Sequence, residues 1–247
     1  MKRISVILLI LGAFILAENN LPNNSPEAVE IFKRIISKYD KSSSFDLTVD
    51  ANKIKTIMKV DMLWLGTDSI IRKNRIQFIE PKDMEGVNLW LWNFKNKKNK
   101  MWVTKPGSGK KIDISNKKNN SAIDLSFIQL DNSILEDLNI ISDTVSYNEK
   151  QCYIVSSYKL RKNKKLDSLM KFWINSDNFN IQKIEKYDKR RKMISEIIFE
   201  RYSNDFPQKI SIKNLKQKNK SIIYIDNYNQ VKYDDNSIFE PRDIKND

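Results

Sequence analysis

Histidine is absent from all 247 residues. Its absence excludes Ser-His-Asp and Cys-His nucleophilic systems and every histidine-ligated metal site. A single cysteine, Cys152, leaves no partner for an intramolecular disulfide. Beside Tyr153-Ile154-Val155 it reads as a buried structural thiol in preference to a reactive one. No segment reaches eighteen consecutive apolar residues, so no membrane-spanning helix is expected. The longest apolar run, Ile4–Leu16, follows Met1-Lys2-Arg3 and ends at Ala17-Glu18. It reads as a secretory signal peptide over 1–17, with an exported, soluble mature chain over 18–247 and no nearby cysteine to lipidate. Glycine is scarce too, with five in the chain. Gly107-Ser108-Gly109-Lys110 fails as a phosphate loop, because Thr104 holds the first glycine position and Lys111 follows the lysine. A lysine-rich hairpin turn fits it better.

Carboxylates are plentiful but poorly placed for acid–base work. Glu136/Asp137 and Asp234/Asp235 are adjacent in sequence, and neighbours on a helix do not face one another. A glycosidase built from distant carboxylates stays open on sequence grounds. The expectation is a protein that is not an enzyme, with no metal and no cofactor.

The formal charge is +13, from 44 lysines and arginines against 31 acids, and loss of Lys2 and Arg3 leaves +11. Part of this follows from a composition rich in Lys, Asn and Ile. A basic exported protein is also drawn to anionic membrane surfaces, by about 1 kcal/mol per well-placed basic residue. Nucleic acid is not expected as a partner behind a signal peptide. The runs Lys95–Lys100, Lys105–Lys111, Arg161–Lys165 and Lys189–Lys192 all fall between expected strands, where solvated hairpin tips require no function.

Ser25-Pro26-Glu27 combines an N-cap residue, a proline at the first helical position and an acid in the first turn. Ala28, Val29, Phe32, Ile35, Ile36 and Tyr39 then recur at three- and four-residue spacing, which predicts an amphipathic helix over 26–39. From Phe45 the period changes to two and stays so, through short turns, to about residue 226. The exception is 115–141, read as a loop followed by a short helix near 133–141. The pattern predicts an α+β fold: a strongly curved antiparallel sheet, an unclosed half-barrel of about eleven strands, lined by the helix and lidded by 115–141.

The stretch 75–115 is the most distinctive. Ile76/Phe78, Val87/Leu89/Leu91 and Met101/Val103 alternate as half-buried strands. The second carries Trp90, Trp92 and Phe94 on its other face, so both faces need cover; a helix is expected on one and a ligand on the other. Met58, Met62, Trp64, Phe78, Met101 and the tryptophans exceed what one fourteen-residue helix would cover. Either they fill an ordinary core, or they line a partly unfilled apolar cavity.

These residues resemble the outer-membrane lipoprotein-sorting proteins of the LolA type. The shared elements are Phe78-Ile79-Glu80-Pro81, Gly86 and Leu89-Trp90-Leu91-Trp92, then Met101-Trp102-Val103-Thr104-Lys105-Pro106, Lys111-Ile112-Asp113-Ile114-Ser115 and Phe239-Glu240-Pro241. The resemblance covers about half of the mature chain, best over 45–130. It implies a monomeric periplasmic carrier whose half-barrel holds lipoprotein acyl chains under a helical lid. Cargo would come from an inner-membrane ABC transporter and pass to an outer-membrane acceptor, with transient membrane-surface contact. The implied lipid site comprises Phe32, Ile36, Val60, Met62, Trp64, Phe78, Leu89, Leu91, Met101 and Val103. Arg72 stands nearest the family's lid-latching arginine, with Lys73 and Ile76 departing from the pattern Arg-Pro-Asn-x-aromatic. A sensor branch of the superfamily, which binds mislocalised lipoproteins, and a general lipid shuttle are alternatives. The physics suits a carrier. At about 0.8 kcal/mol per methylene, three acyl chains of about fifteen methylenes cost roughly 36 kcal/mol to expose to water.

Overall fold

The computed structural model describes residues 24–67, 69–95, 97–115, 132–161 and 166–244. The expected amphipathic stretch forms helix α1 (Pro26–Tyr39), and the Ala28 amide donates to Ser25 Oγ at 3.3 Å. That bond satisfies one of the donors left open at a helix start. Ala28, Ile31, Phe32, Ile35 and Ile36 form its buried stripe.

The chain continues as β1 (Ser43–Ala51), β2 (Ile54–Trp64), β3 (Ile70–Glu80), β4 (Asn88–Phe94), β5 (Lys100–Thr104) and β6 (Lys111–Asp113). Then come β7 (Leu138–Tyr147), β8 (Lys150–Leu160), β9 (Leu166–Asn175), β10 (Ile181–Tyr187), β11 (Met193–Ser203), β12 (Phe206–Asn214) and β13 (Asn219–Gln230). All thirteen belong to one antiparallel sheet in the order β6-β5-β4-β3-β2-β1-β13-β12-β11-β10-β9-β8-β7. It consists of two meanders joined where β1 pairs with β13, and its ends, β6 and β7, do not meet. Tight turns such as Asn52-Lys53, Asn148-Glu149 and Asn204-Asp205 hold both residues at positive φ. That geometry matches the twist of the flanking strands.

Laid flat, such a sheet would be roughly 57 Å wide, whereas α1 is about 21 Å long. Yet the helix stripe shares one buried core with residues of both meanders: Phe45, Met58 and Val60 from the first, Val155, Phe172, Ile197 and Phe206 from the second. The sheet therefore curls around the helix as an unclosed half-barrel. Within it α1 is tied to the second meander. The Phe32 ring meets Phe172 edge-on at 5.0 Å, and Tyr39 meets Phe206 at 5.6 Å. Lys38 Nζ donates to Asn180 Oδ1 at 2.7 Å and pairs with Asp205, while the Ser25 amide donates to the Asn139 carbonyl at 2.8 Å.

Three sequence expectations change. Among the described residues the strands number thirteen, not about eleven; β6 has three residues, all exposed, too few to show alternation. The helix expected near 133–141 is a single 3-10 turn over Asn132–Glu136, and Leu138 already begins β7. Ile134, Leu135, Leu138 and Ile141 carry helical spacing, but Leu138 and Ile141 pair with Tyr158 and Val155 in one continuous register, and a bulge follows only after Ile141. Of the expected lid, 116–131 lies outside the described residues.

The third change concerns the tryptophan face of β4, which the chain's own C-terminal segment covers. Trp90 and Trp92 donate their indole N–H groups to the Ile238 and Phe239 carbonyls at 2.9 and 3.0 Å. Tyr233 packs edge-on to Phe239, and Lys73 pairs with Glu240 while lying 4.0 Å above the Trp92 ring. The segment ends with the Ile244 amide donating to the Gly109 carbonyl at 2.9 Å. On the convex side of the second meander a half-buried network is polar. There Lys183 pairs with Glu185 at 2.7 Å and Glu196 at 3.4 Å, and its Nζ lies 4.5 Å from the Trp173 ring centroid. Cys152 is fully buried and free, and burial raises its thiol pKa.

Candidate functional site

Strand register decides which side chains share the inner face. In an antiparallel pair, directly opposed residues project to the same side. One cross-strand row runs Phe45–Val60–Ile76–Leu89–Val103–Ile112 from β1 to β6. Beside it, Leu47–Met58–Phe78 lies toward the β1–β2 turn, and Ser43–Met62–Asn74–Leu91–Met101 lies on the other side. Trp64, Arg72 and Asn93 form a fourth, shorter row. All eight strand residues of the expected lipid site thus project from one face of the sheet. It is the face on which Phe45, Met58 and Val60 join the core with Phe32 and Ile36.

Burial divides the ten. Phe32, Ile36, Val60 and Met62 are buried in the core, and Leu91 sits at 9% exposure. Trp64, Phe78, Leu89, Met101 and Val103 are half-buried. Along the central row, exposure rises with distance from the helix: Phe45 1%, Val60 5% and Ile76 3%, then half-buried Leu89 and Val103, then Ile112 at 36%. Leu89, Met101, Val103 and Ile112 on β4–β6 are thus covered less completely than the inner face of β1 and β2.

The Ser43–Met62–Asn74–Leu91–Met101 row and the Trp64–Arg72–Asn93 row turn polar at their centre. Arg72, Asn74 and Asn93 are each 4% exposed, on an otherwise apolar face. Asn74 Nδ2 donates to Asn93 Oδ1 at 3.0 Å and to the Leu91 carbonyl at 3.2 Å. Buried amides need such partners, because an unpaired one costs several kcal/mol on the order of a lost hydrogen bond plus desolvation. Burial raises the carboxyl pKa of Asp40, just past the end of α1, and the nearby Arg72 guanidinium partly offsets this. Arg72 therefore faces the end of the helix electrostatically; the expected latch to the lid falls on a segment outside the described residues. Asn93 and Asp40 were not singled out from the sequence. The signal was there for Asn93, which continues the inward phase of Leu89 and Leu91. Asp40 gave none.

Among the described residues, no three His, Cys, Asp or Glu side chains are placed to hold a metal, and no helix is long and apolar enough to cross a membrane.

Solved structures share this architecture. A DUF1329 family protein from Desulfovibrio piger matches with a TM-score of 0.74 at 16% identity, over 89% of this chain and 98% of that one. A domain assigned as an outer membrane lipoprotein-sorting protein from Vibrio parahaemolyticus matches at 0.66 and 12% identity, over 87% and 97%. A LolA superfamily protein from Nitrosomonas europaea matches at 0.59 and 15% identity, over 84% and 96%. The chain therefore has the LolA-type fold, as its motifs suggested. Residues 72–246 match the family model described as "Uncharacterized protein", and the chain belongs to that family. No curated protein matches the sequence.

Proposed function

We propose that the protein is an exported, periplasmic carrier that binds acyl chains of lipoproteins on the inner face of β3–β6. The observation that carries this reading is the gradient of burial along one apolar row, from closed core under α1 to the half-open wall at Leu89, Val103 and Ile112. A packed core gains nothing from leaving large apolar groups half-covered; a cavity for flexible chains requires it. Met101 in that wall adapts its shape to varied partners. Phe32, Ile36, Val60 and Met62 form the floor, Trp64, Phe78, Leu89, Leu91, Met101 and Val103 the wall, and Arg72 the polar latch at one end. Transfer is from an inner-membrane ABC transporter to an outer-membrane acceptor, the protein acting as a monomer with transient membrane contact and no catalytic step. Support comes from the shared fold and from the chemistry of the wall. The test is mass spectrometry of lipids and lipopeptides co-purifying with the protein from envelope extract. Acylated peptides support the carrier, phospholipid alone supports a general shuttle, and recovery with a membrane-bound regulator supports a sensor.

A further inference from the structure

The meander topology gathers charge that the sequence scatters. In the sheet order, the β1–β2, β12–β13 and β10–β11 hairpins are consecutive, and their turns lie at the same end of the barrel. The first turn carries Lys53 and Lys55, all of 189–192 in the third is basic, and between them Lys213, Lys216, Lys218 and Lys220 flank the second. Every one of these ten side chains is exposed, and among the described residues none is held in an ion pair. Carboxylates stand there too, with exposed Glu80, Asp83 and Glu85 following Ile79 in the β3–β4 turn at the edge of the arc. Asp50 lies opposite Lys55, and Asp188 accepts the Arg190 and Lys192 amides at 2.9 and 3.0 Å, shaping the turn. At the same end are two of the most exposed large apolar side chains of the described residues: Ile54, 60% exposed between Lys53 and Lys55, and Ile79, 44% exposed at the end of β3.

We infer that this arc is a docking surface for an anionic phospholipid bilayer, with Ile54 entering the interface between lysines bound to headgroups. Basic residues in an arc with an apolar tip match the two forces that hold a protein at such a surface, attraction to anionic lipid and burial of apolar area. Ile54, the first residue of β2 beside the Asn52-Lys53 turn, supplies that apolar area. The inference stands apart from acyl carriage, and either can fail alone. It also orients the molecule, because Phe78 lies in the inner-face row nearest this end.

The test is co-sedimentation of the full-length mature protein with vesicles of phosphatidylcholine alone or mixed with phosphatidylglycerol. Binding is expected to the mixed vesicles only, and to weaken with salt. Each basic residue at an anionic surface contributes roughly fivefold in affinity. Lys216→Glu with Lys218→Glu should therefore weaken binding at least ~25-fold, and Lys189→Glu with Arg190→Glu should do the same from the neighbouring turn. Ile54→Ser should cost roughly fivefold, largely independent of salt. The control is Lys97→Glu with Lys98→Glu, an equal charge change on the β4–β5 turn at the opposite end, expected to shift binding less than about twofold. Equal loss from both ends would overturn the inference in favour of net charge alone. So would equal binding to phosphatidylcholine, or tighter binding to duplex DNA or heparin with the same dependence on the variants.

Discussion

Val60 and Val103 form a matched pair. They are the same residue type, on the same cross-strand row and the same face, differing only in what covers them. Val60 is 5% exposed beneath α1, whereas Val103 is half-buried on β5. A glutamate at Val60 must lose its hydration or remain protonated, at a cost of several kcal/mol. That is comparable with a typical total stability of roughly 5–15 kcal/mol. At about 2–4 °C per kcal/mol for a chain of this size, Val60→Glu should lower Tm by more than ~10 °C or abolish folding. A glutamate at Val103 can turn its carboxylate to water and forfeits only part of a valine's burial, about 1 kcal/mol. Val103→Glu should therefore shift Tm by a few degrees while eliminating co-purified acylated peptide. Circular dichroism melts and mass spectrometry of the purified proteins read both quantities. If Val103→Glu unfolds like Val60→Glu, the β5 wall is close-packed core and the reasoning fails. If it folds and still carries lipid, the site lies elsewhere.

Two further perturbations separate the remaining parts. Burial raises the Asp40 carboxyl and Arg72 partly offsets it, so Arg72→Leu should raise it further. A folded-state carboxyl pKa above its unfolded value means stability falls as pH rises through that window. The variant's deficit in denaturant unfolding should be larger at neutral pH than near the ordinary carboxylate range, and equal deficits would contradict the pairing. In transfer assays the same variant should load cargo and release it slowly. Gly109 sits at φ 61°, and a Cβ there would fall 1.9 Å from the Ile244 carbonyl oxygen. Gly109→Ala should detach the end of the C-terminal segment, lower Tm and speed proteolysis at that terminus, leaving lipid capture on the opposite face intact. An unchanged melt and cleavage pattern would count against the segment's anchoring role.

Much of this was legible in the residues because it depends on local period. The 26–39 helix announces itself through Ser25, Pro26 and its stripe, and the inward phase of Val60, Met62, Phe78, Leu89, Leu91, Met101 and Val103 follows from alternation alone. Where two periods fit, the sequence could not choose. Leu138 and Ile141 satisfy helical spacing, and pairing with β8 decided for a strand. Long-range placement was not visible either. The cover over Trp90 comes from residues about 150 positions away, although Phe239-Glu240-Pro241 stood out as one of the motifs shared with the LolA type. The basic arc needs the order β2-β1-β13-β12-β11-β10 before three separate lysine-rich turns become neighbours. Likewise the split between floor and wall depends on where α1 stops covering the sheet, which no residue of β2–β5 records.

The proposed carriage requires acyl chains to occupy the inner face of β3–β6. Photo-crosslinking with a diacylated peptide carrying a diazirine in its acyl chain tests this directly, with adducts mapped by peptide mass spectrometry. Adducts should concentrate on the strands bearing Phe78, Leu89, Met101, Val103 and Ile112, and should vanish with Val103→Glu. Adducts on the C-terminal segment or the convex network around Lys183, or none above background, would contradict it.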